Sequence, residues 1–247
     1  MKNIWTIAKR EYDNYFNSPL AYVVALAIFL PVGIIFSIIM YFAAQQASYG
    51  GAAPGTSELT NWFVILLLFF SPALTMRLLS DEVRSGTMEL LLTYPVRDIE
   101  LVIGNWLGAF LFVLLLVLGT LIFPIIMNSY VTPYLDWKLI LSSYIGIILL
   151  SSALLALGVG ISAVFNNQFA AFFATFVLFF SLWILVGVPA NILQQGGGVF
   201  NYLSINTHFF NSMNNGTINL GDVVYFLSLT ALGLFIGTSA VEIRRWR

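Results

Sequence analysis

Cysteine is absent from this chain of 247 residues, and histidine occurs once, as His208. Without thiols the chain can form neither a disulfide nor a thiolate metal site, and one imidazole cannot build a metal site alone. Charge is also scarce: Asp, Glu, Lys and Arg make up 9% of the residues, whereas a typical soluble domain has about 25%. Since 60% of the residues are apolar, the chain cannot supply a polar surface, and the sequence predicts an integral membrane protein.

Several functional motifs are also missing from the sequence. It contains no phosphate-binding GxxxxGK[ST], no HExxH and no GxSxG. The 10 basic and 11 acidic residues are balanced, whereas a nucleic-acid-binding protein needs a basic face. We therefore expect no enzymatic activity, no catalytic residue, no bound cofactor or metal and no nucleic-acid partner. The chain cannot use ATP through such a motif, so if it performs work, the energy must come from another subunit.

Long apolar runs dominate what is present, and a membrane-spanning helix needs about 20 mostly apolar residues. The middles of these runs contain no ionisable residue, although such residues mark ion pathways and intramembrane active sites. The pairs Gly104-x-x-x-Gly108 and Gly233-x-x-x-Gly237 are typical of close helix packing. The sequence predicts an all-α membrane domain over residues 1–247 with six transmembrane helices, at 20–43, 59–78, 101–127, 139–165, 169–193 and 221–241.

The basic residues predict the orientation of these helices. With the amino terminus in the cytoplasm, nine of the 10 Lys and Arg residues fall on the cytoplasmic side, and only Lys138 falls outside. Cytoplasmic segments of membrane proteins carry such an excess of Lys and Arg. We expect a multi-pass protein of the cell inner (plasma) membrane with both termini in the cytoplasm. On the outer side, the stretch 194–221 contains apolar pieces that predict short helices at or in the outer interface.

The first 18 residues form an amphipathic pattern. A helical wheel places aromatic and apolar residues on one side and charged residues on the other, as in a helix that lies in the membrane surface. The alternative is a basic tail that only sets the topology. We predict an interfacial helix at 1–18, with Trp5, Arg10, Glu11 and Tyr12 as its functional positions. Its apolar side holds Ile4, Ala8, Tyr12 and Tyr15.

A charged segment lies between the second and third predicted spans. Residues 81–100 hold seven of the 21 charged side chains. The pattern predicts a short helix that is broken at Gly86 and ends at Pro95, with acidic residues beside an apolar strip. Apolar residues in a cytoplasmic loop are typical of a surface that docks to another protein. The alternative is a solvated hairpin that only links two spans.

The pattern Glu82-x-x-x-Gly86-Thr87-x-Glu89-x-Leu91-x-Thr93-x-Pro95 resembles the loop between helices two and three of ABC-2 type permeases. These are the membrane subunits of one class of ABC transporter, and the closest likeness is to their gliding-motility-type branch. The tail pattern YLS…HF…GDVVYFLSLTA and the opening IAKREY also resemble that branch.

The resemblance implies that two six-helix subunits, identical or related, pair in the membrane lipid, and that each rests on a separate ABC-type ATPase subunit that binds ATP and Mg²⁺. It also implies that residues 79–98 form a cytoplasmic coupling loop, that the interfacial helix is a lever, and that short outer helices between spans five and six act as a gate. By this likeness the ATPase-docking positions are Glu82, Gly86, Thr87, Glu89, Leu91, Thr93 and Pro95.

The expected function is a permease subunit of an ATP-driven exporter. The apolar spans favour an amphiphilic or lipid-linked cargo, with lipid, peptide, polysaccharide and drug as alternatives. A second hypothesis is a non-transporting membrane scaffold or assembly subunit of a larger ATPase-linked complex. A membrane enzyme or channel is disfavoured because the spans lack intramembrane acids, bases and pore-lining charges.

Overall fold

The structure is a computed structural model that describes residues 2–47, 55–86, 96–131, 135–186, 198 and 202–245. Within these residues the chain folds into α-helices joined by turns, and no β-strand occurs among them. The helices are α1 (Lys2–Asn17), α2 (Pro19–Ala47), α3 (Ser57–Thr75), α4 (Ser80–Arg84), α5 (Asp98–Thr120), α6 (Ile122–Tyr130), α7 (Trp137–Val164), α8 (Gln168–Phe180) and α9 (Leu220–Arg245).

The all-α membrane fold predicted from the sequence is confirmed. Five helical runs in the described residues are long and apolar enough to cross a membrane, and they coincide with five of the six predicted spans. The predicted span 169–193 begins as α8, continues as a π-helical turn over Ser181–Leu185, and ends outside the described residues. The five long runs are Pro19–Gln45, Ser57–Arg84, Asp98–Tyr130, Trp137–Val164 and Leu220–Arg245.

The predicted helix 101–127 is divided into α5 and α6 at Leu121. Pro124 explains the division, because proline has no N–H to donate to the carbonyl of residue 120 and its ring crowds that carbonyl. Only Leu121 separates the two helices, and together they form one long apolar run, Asp98–Tyr130.

The centre of the bundle is α7, where 78% of the most apolar stretch is buried, against 17% in α2. It packs most extensively against α9, and small residues bring the two backbones together. A Cβ atom on Gly160 would lie 2.5 Å from the carbonyl oxygen of Gly233, and one on Gly233 would overlap the backbone of Ala156. The second predicted glycine pair therefore serves close helix packing, as expected.

The first glycine pair brings α1 against α5. A Cβ atom on Gly104 would lie 2.7 Å from the Cβ of Ile7, and one on Gly108 would lie 2.7 Å from the Cβ of Glu11. Consequently the inner side of α1 packs on a helix backbone, and this contact fixes α1 along the first half of α5.

The helix ends form two faces of the bundle. At the basic face, α1, α4, the amino end of α5 and the carboxyl ends of α7 and α9 meet. Arg245 forms an ion pair with Asp98 (2.7 Å), and Arg244 donates a hydrogen bond to the carbonyl of Val164 (3.0 Å). At the opposite face, which we call the cap face, the amino ends of α3, α7 and α9 surround residues 202–219, the cap segment.

Candidate functional site at the basic face

One arginine connects the first helix to the start of the charged segment. The guanidinium of Arg10 on α1 lies 2.8 Å from Oε1 of Glu82 on α4 and 2.8 Å from Oε1 of its neighbour Glu11. We call these three residues the joint. Burial alone would lower the pKa of Arg10, but the charges and hydrogen bonds of Glu11 and Glu82 outweigh it, so that pKa is raised. The joint therefore holds two carboxyl groups and one permanent cation together at the basic face.

Tyr15 attaches α1 to the end of α3. Its hydroxyl donates a hydrogen bond to the carbonyl of Leu74 (2.8 Å), and its ring stacks on Phe112 of α5 at 4.9 Å. The last carbonyls of a helix lack partners within the helix, and Tyr15 satisfies one of them. Only 5% of Tyr15 is exposed, and burial raises the pKa of its hydroxyl above the usual range.

The break between α3 and α4 is held by a serine of the central helix. The hydroxyl of Ser162 accepts hydrogen bonds from the N–H groups of Leu79 (3.2 Å) and Ser80 (3.1 Å), and it donates one to the carbonyl of Met76 (3.1 Å). The backbone N–H and C=O groups that lose their helical partners at the end of α3 are thus hydrogen-bonded to α7. As a result, α4 has a defined position relative to both α1 and α7.

The structure places two of the seven predicted docking positions. Glu82 lies in the joint with 16% of its side chain exposed, and Gly86 lies two residues beyond the end of α4 with a left-handed φ of 72°. The predicted break at Gly86 is therefore observed, because L-residues with a Cβ rarely adopt this conformation. The other five predicted docking positions lie outside the described residues: Thr87, Glu89, Leu91, Thr93 and Pro95.

The predicted positions on α1 divide between its two sides. Trp5 is 59% exposed and points away from the bundle, whereas Tyr12 is partly buried. Glu11 is buried against Gly108, a position that was not foreseen for a carboxylate from the sequence. The helical spacing of three and four residues places Glu11 between Ala8 and Tyr15 on the buried side of α1. This spacing was the sequence signal for the burial of Glu11. The ion pair with Arg10 makes the burial tolerable.

A cavity of about 470 Å³ opens beside the joint. It lies between the second half of α1, the turn that leads into α2, the last turn of α3, and α4. Its walls carry charged side chains of both signs together with leucines. The basic face thus combines an ion-paired connection between helices with space for a small polar group.

The cap face contains a buried histidine–aspartate pair that was not predicted from the sequence. Nδ1 of His208 lies 2.7 Å from Oδ1 of Asp222, and its Nε2 lies 2.8 Å from the carbonyl oxygen of Tyr202. The imidazole stacks on Tyr225 at 4.1 Å, and Ser212 donates to the second carboxylate oxygen of Asp222 (2.5 Å). The only sequence signal was an acidic residue at the start of the last span.

Further hydrogen bonds attach the cap segment to the surrounding helices. Asn214 donates to Asn61 of α3 (2.7 Å), and Ser142 of α7 donates to the carbonyl of Met213 (2.7 Å). Asn206 pairs with Trp183 through two hydrogen bonds of 2.9 Å. The segment contains a π-helical turn, Asn206–Phe210, and a 3₁₀ turn, Met213–Asn215, in the region where short helices were predicted.

Comparison with known proteins agrees with this architecture. Residues 5–232 match the family model described as ABC-2 family transporter protein, which covers nearly the whole chain. The match concerns the family as a whole, so the gliding-motility-type branch stays a prediction. No curated protein matches the chain. Members of this family are membrane-spanning components of ABC transporters and are not themselves catalytic. The chain is a multi-pass membrane protein that belongs to the ABC-2 family of transporter proteins.

Proposed function

We propose that the protein is the permease subunit of an ATP-driven ABC transporter that exports or extrudes an amphiphilic or lipid-linked cargo. Family membership supports the transporter assignment. The missing nucleotide-binding motif favours a separate ATPase subunit, in which ATP and Mg²⁺ would bind. The observation that carries the mechanism is the joint, because Arg10 links α1 directly to the helix that leads into the predicted docking segment.

The contacts around the joint provide a route for movement. A displacement of residues 87–95 would act first on α4, which follows α3 and is bonded to Ser162 of α7. Through Arg10 it would also act on α1, which packs on α5 at Gly108. The docked ATPase would therefore act through one short helix on three transmembrane helices, α3, α5 and α7, and on the interfacial helix α1.

The charge distribution supports the proposed membrane orientation. We place the basic face in the cytoplasm, with both termini there, because nine of the 10 Lys and Arg residues belong to segments on that side. In this orientation the cap segment lies on the outer side and acts as the gate. The exposed apolar side of α2 is free for membrane lipid or a second permease subunit, identical or related.

The test is the stimulation of a co-purified ABC-type ATPase by this chain in proteoliposomes. The chain alone should hydrolyse no ATP, and together with the ATPase it should raise the hydrolysis rate. Glu89→Lys should abolish the stimulation while leaving membrane insertion intact. Glu242→Lys is the matched control, since Glu242 is an exposed acidic residue near the carboxyl end of α9 at the same face.

Full stimulation by the Glu89→Lys protein would contradict the docking role. A cysteine placed at Thr87 should cross-link to the ATPase, and the natural chain offers no competing thiol. If variants that cannot dock still support cargo-independent assembly of the complex, the scaffold function is favoured instead.

A further inference from the structure

The cavity at the basic face contains two charged side chains that the joint does not use. Arg77 donates one hydrogen bond to the hydroxyl of Ser18 (3.1 Å), and it forms no ion pair with a carboxylate of the described residues. Asp81, which lines the same cavity, likewise has no cationic partner in the described part of the chain. Each side chain is partly buried, and neither forms an ion pair within the described residues.

The opposite signs of these two charges indicate the ligand they can accept. The N–H of Asp81 donates to the carbonyl of Arg77 (3.3 Å), so one backbone turn connects the two residues across the break between α3 and α4. Both side chains line the same cavity. A molecule that carries a phosphate and an amine matches the two signs. A purely anionic ligand would meet the repulsion of Asp81.

The position of the cavity indicates that such a molecule comes from the membrane. Leu74 and Leu78 form part of its wall where the apolar helix α3 gives way to charged residues, which is the depth of lipid headgroups. Its volume of about 470 Å³ is within the usual range of about 300–1,000 Å³ for ligand pockets. Helix α2 begins at the rim of the cavity. Its exposed apolar side chains, such as Leu26 (62% exposed), offer a surface for acyl chains.

We propose that this cavity binds the headgroup of a zwitterionic, amine-bearing phospholipid. The guanidinium of Arg77 donates hydrogen bonds to the phosphate, and the carboxylate of Asp81 accepts from the ammonium group. Hydrogen bonds between charged partners are stronger than neutral ones, and a guanidinium matches the geometry of phosphate oxygens. The lipid would occupy the space between α1 and α4, next to the joint.

The experiment is a lipid-binding titration of the delipidated full-length protein in detergent, read by native mass spectrometry. The probes are phosphatidylethanolamine and phosphatidylglycerol with the same acyl chains. The natural protein should prefer phosphatidylethanolamine. Arg77→Gln should weaken both lipids about tenfold, the loss expected for one charged hydrogen-bond partner. Asp81→Asn should weaken only phosphatidylethanolamine and so remove the preference.

Three controls show whether a loss of binding arises in this cavity. Arg84→Gln removes an exposed cation of α4 that does not line the cavity, and it should leave both affinities unchanged. Arg77→Lys keeps the charge and should retain most of the binding, which excludes general misfolding as the cause. Soluble phosphoethanolamine should not compete at concentrations near those of the lipid, and competition there would assign the cavity to a free metabolite. Equal affinity for the two lipids, or unchanged binding in Arg77→Gln, would overturn the proposal.

Discussion

The two faces of the bundle are held together by different chemistry. At the cap face, His208 and Asp222 are each about 5% exposed, and the cap segment is hydrogen-bonded to α3, α7, α9 and the turn that follows α8. At the basic face, Arg10 is 42% exposed in its side chain, and an open cavity lies beside it. A buried pair is costly to break, whereas the pair of Arg10 (42% exposed) and Glu82 (16% exposed) is reached by water on one side and contributes less stability.

This difference indicates how work is divided between the two faces. The cap face is built for a fixed arrangement, since the buried side chains of His208, Asp222 and Asn214 would lose specific partners if the segment moved. The basic face can change its contacts at low cost, because water can replace a partly exposed ion pair. The contacts at the basic face can therefore change while the cap segment stays in place. The cap segment would move only when a larger force acts on it.

The strongest test of this contrast is Asp222→Ala. It leaves the buried His208 and the hydroxyl of Ser212 without their carboxylate, and breaking a buried pair in this way costs about 3–5 kcal/mol. The free energy of unfolding, measured in detergent micelles, should fall by that amount. Glu58→Gln is the control at the same face, since Glu58 is exposed, and it should change stability by less than about 0.5 kcal/mol.

A second substitution tests the close contact between the backbones of α7 and α9 in the core. Gly233→Ala would force a Cβ atom into the backbone of Ala156, and overpacking of this kind costs about 1–3 kcal/mol. The same unfolding assay measures it. Gly221→Ala, in the first turn of the same helix, meets no atom within 4 Å and should be neutral or slightly stabilising. Equal losses in both variants would contradict the backbone contact.

At the basic face, Gly86→Ala tests the end of α4. The left-handed φ of 72° should cost about 1–2 kcal/mol once a Cβ is present, although the space around it is open. Hydrogen exchange of the α4 amides should become faster while the cap segment is unaffected. Gly55→Ala, also in open space but without a positive φ, should show no change.

The smallest effect is expected for the joint itself. In a double-mutant cycle of Arg10→Gln and Glu82→Gln, the coupling free energy should be no more than about 1 kcal/mol, because the pair is partly exposed. The unfolding assay in micelles gives the four free energies. A coupling as large as the effect of Asp222→Ala would remove the contrast between the faces.

The sequence predicted the helices better than their contacts. Apolar runs and flanking charges located the spans, because a span of about 20 apolar residues is required by the membrane itself. Pro124 was visible but was not used to divide the third span, since prolines within membrane helices are often tolerated. The end of α4 before Gly86 could be predicted, because a glycine between polar residues is typical of a helix end.

The partners within the site could not be read from the sequence. Arg10 and Glu82 are 72 positions apart, and they meet because α1 packs on α5 and is bonded through Tyr15 to the end of α3. His208 lies in the outer stretch 194–221 and Asp222 at the start of the last predicted span, and the acidic residue alone did not indicate which side chain would be its partner. The glycines of α5 predicted a close neighbour, but their spacing does not identify which helix that neighbour is.

The most direct test of the mechanism is a charge exchange across the joint, read as stimulation of the partner ATPase in proteoliposomes. Arg10→Glu and Glu82→Arg each bring like charges together, and each should reduce the stimulation strongly while leaving expression and membrane insertion unchanged. The double variant restores an ion pair with reversed charges and should recover most of the stimulation. Full stimulation by both single variants would contradict the claim that the joint transmits movement from the docking segment to α1.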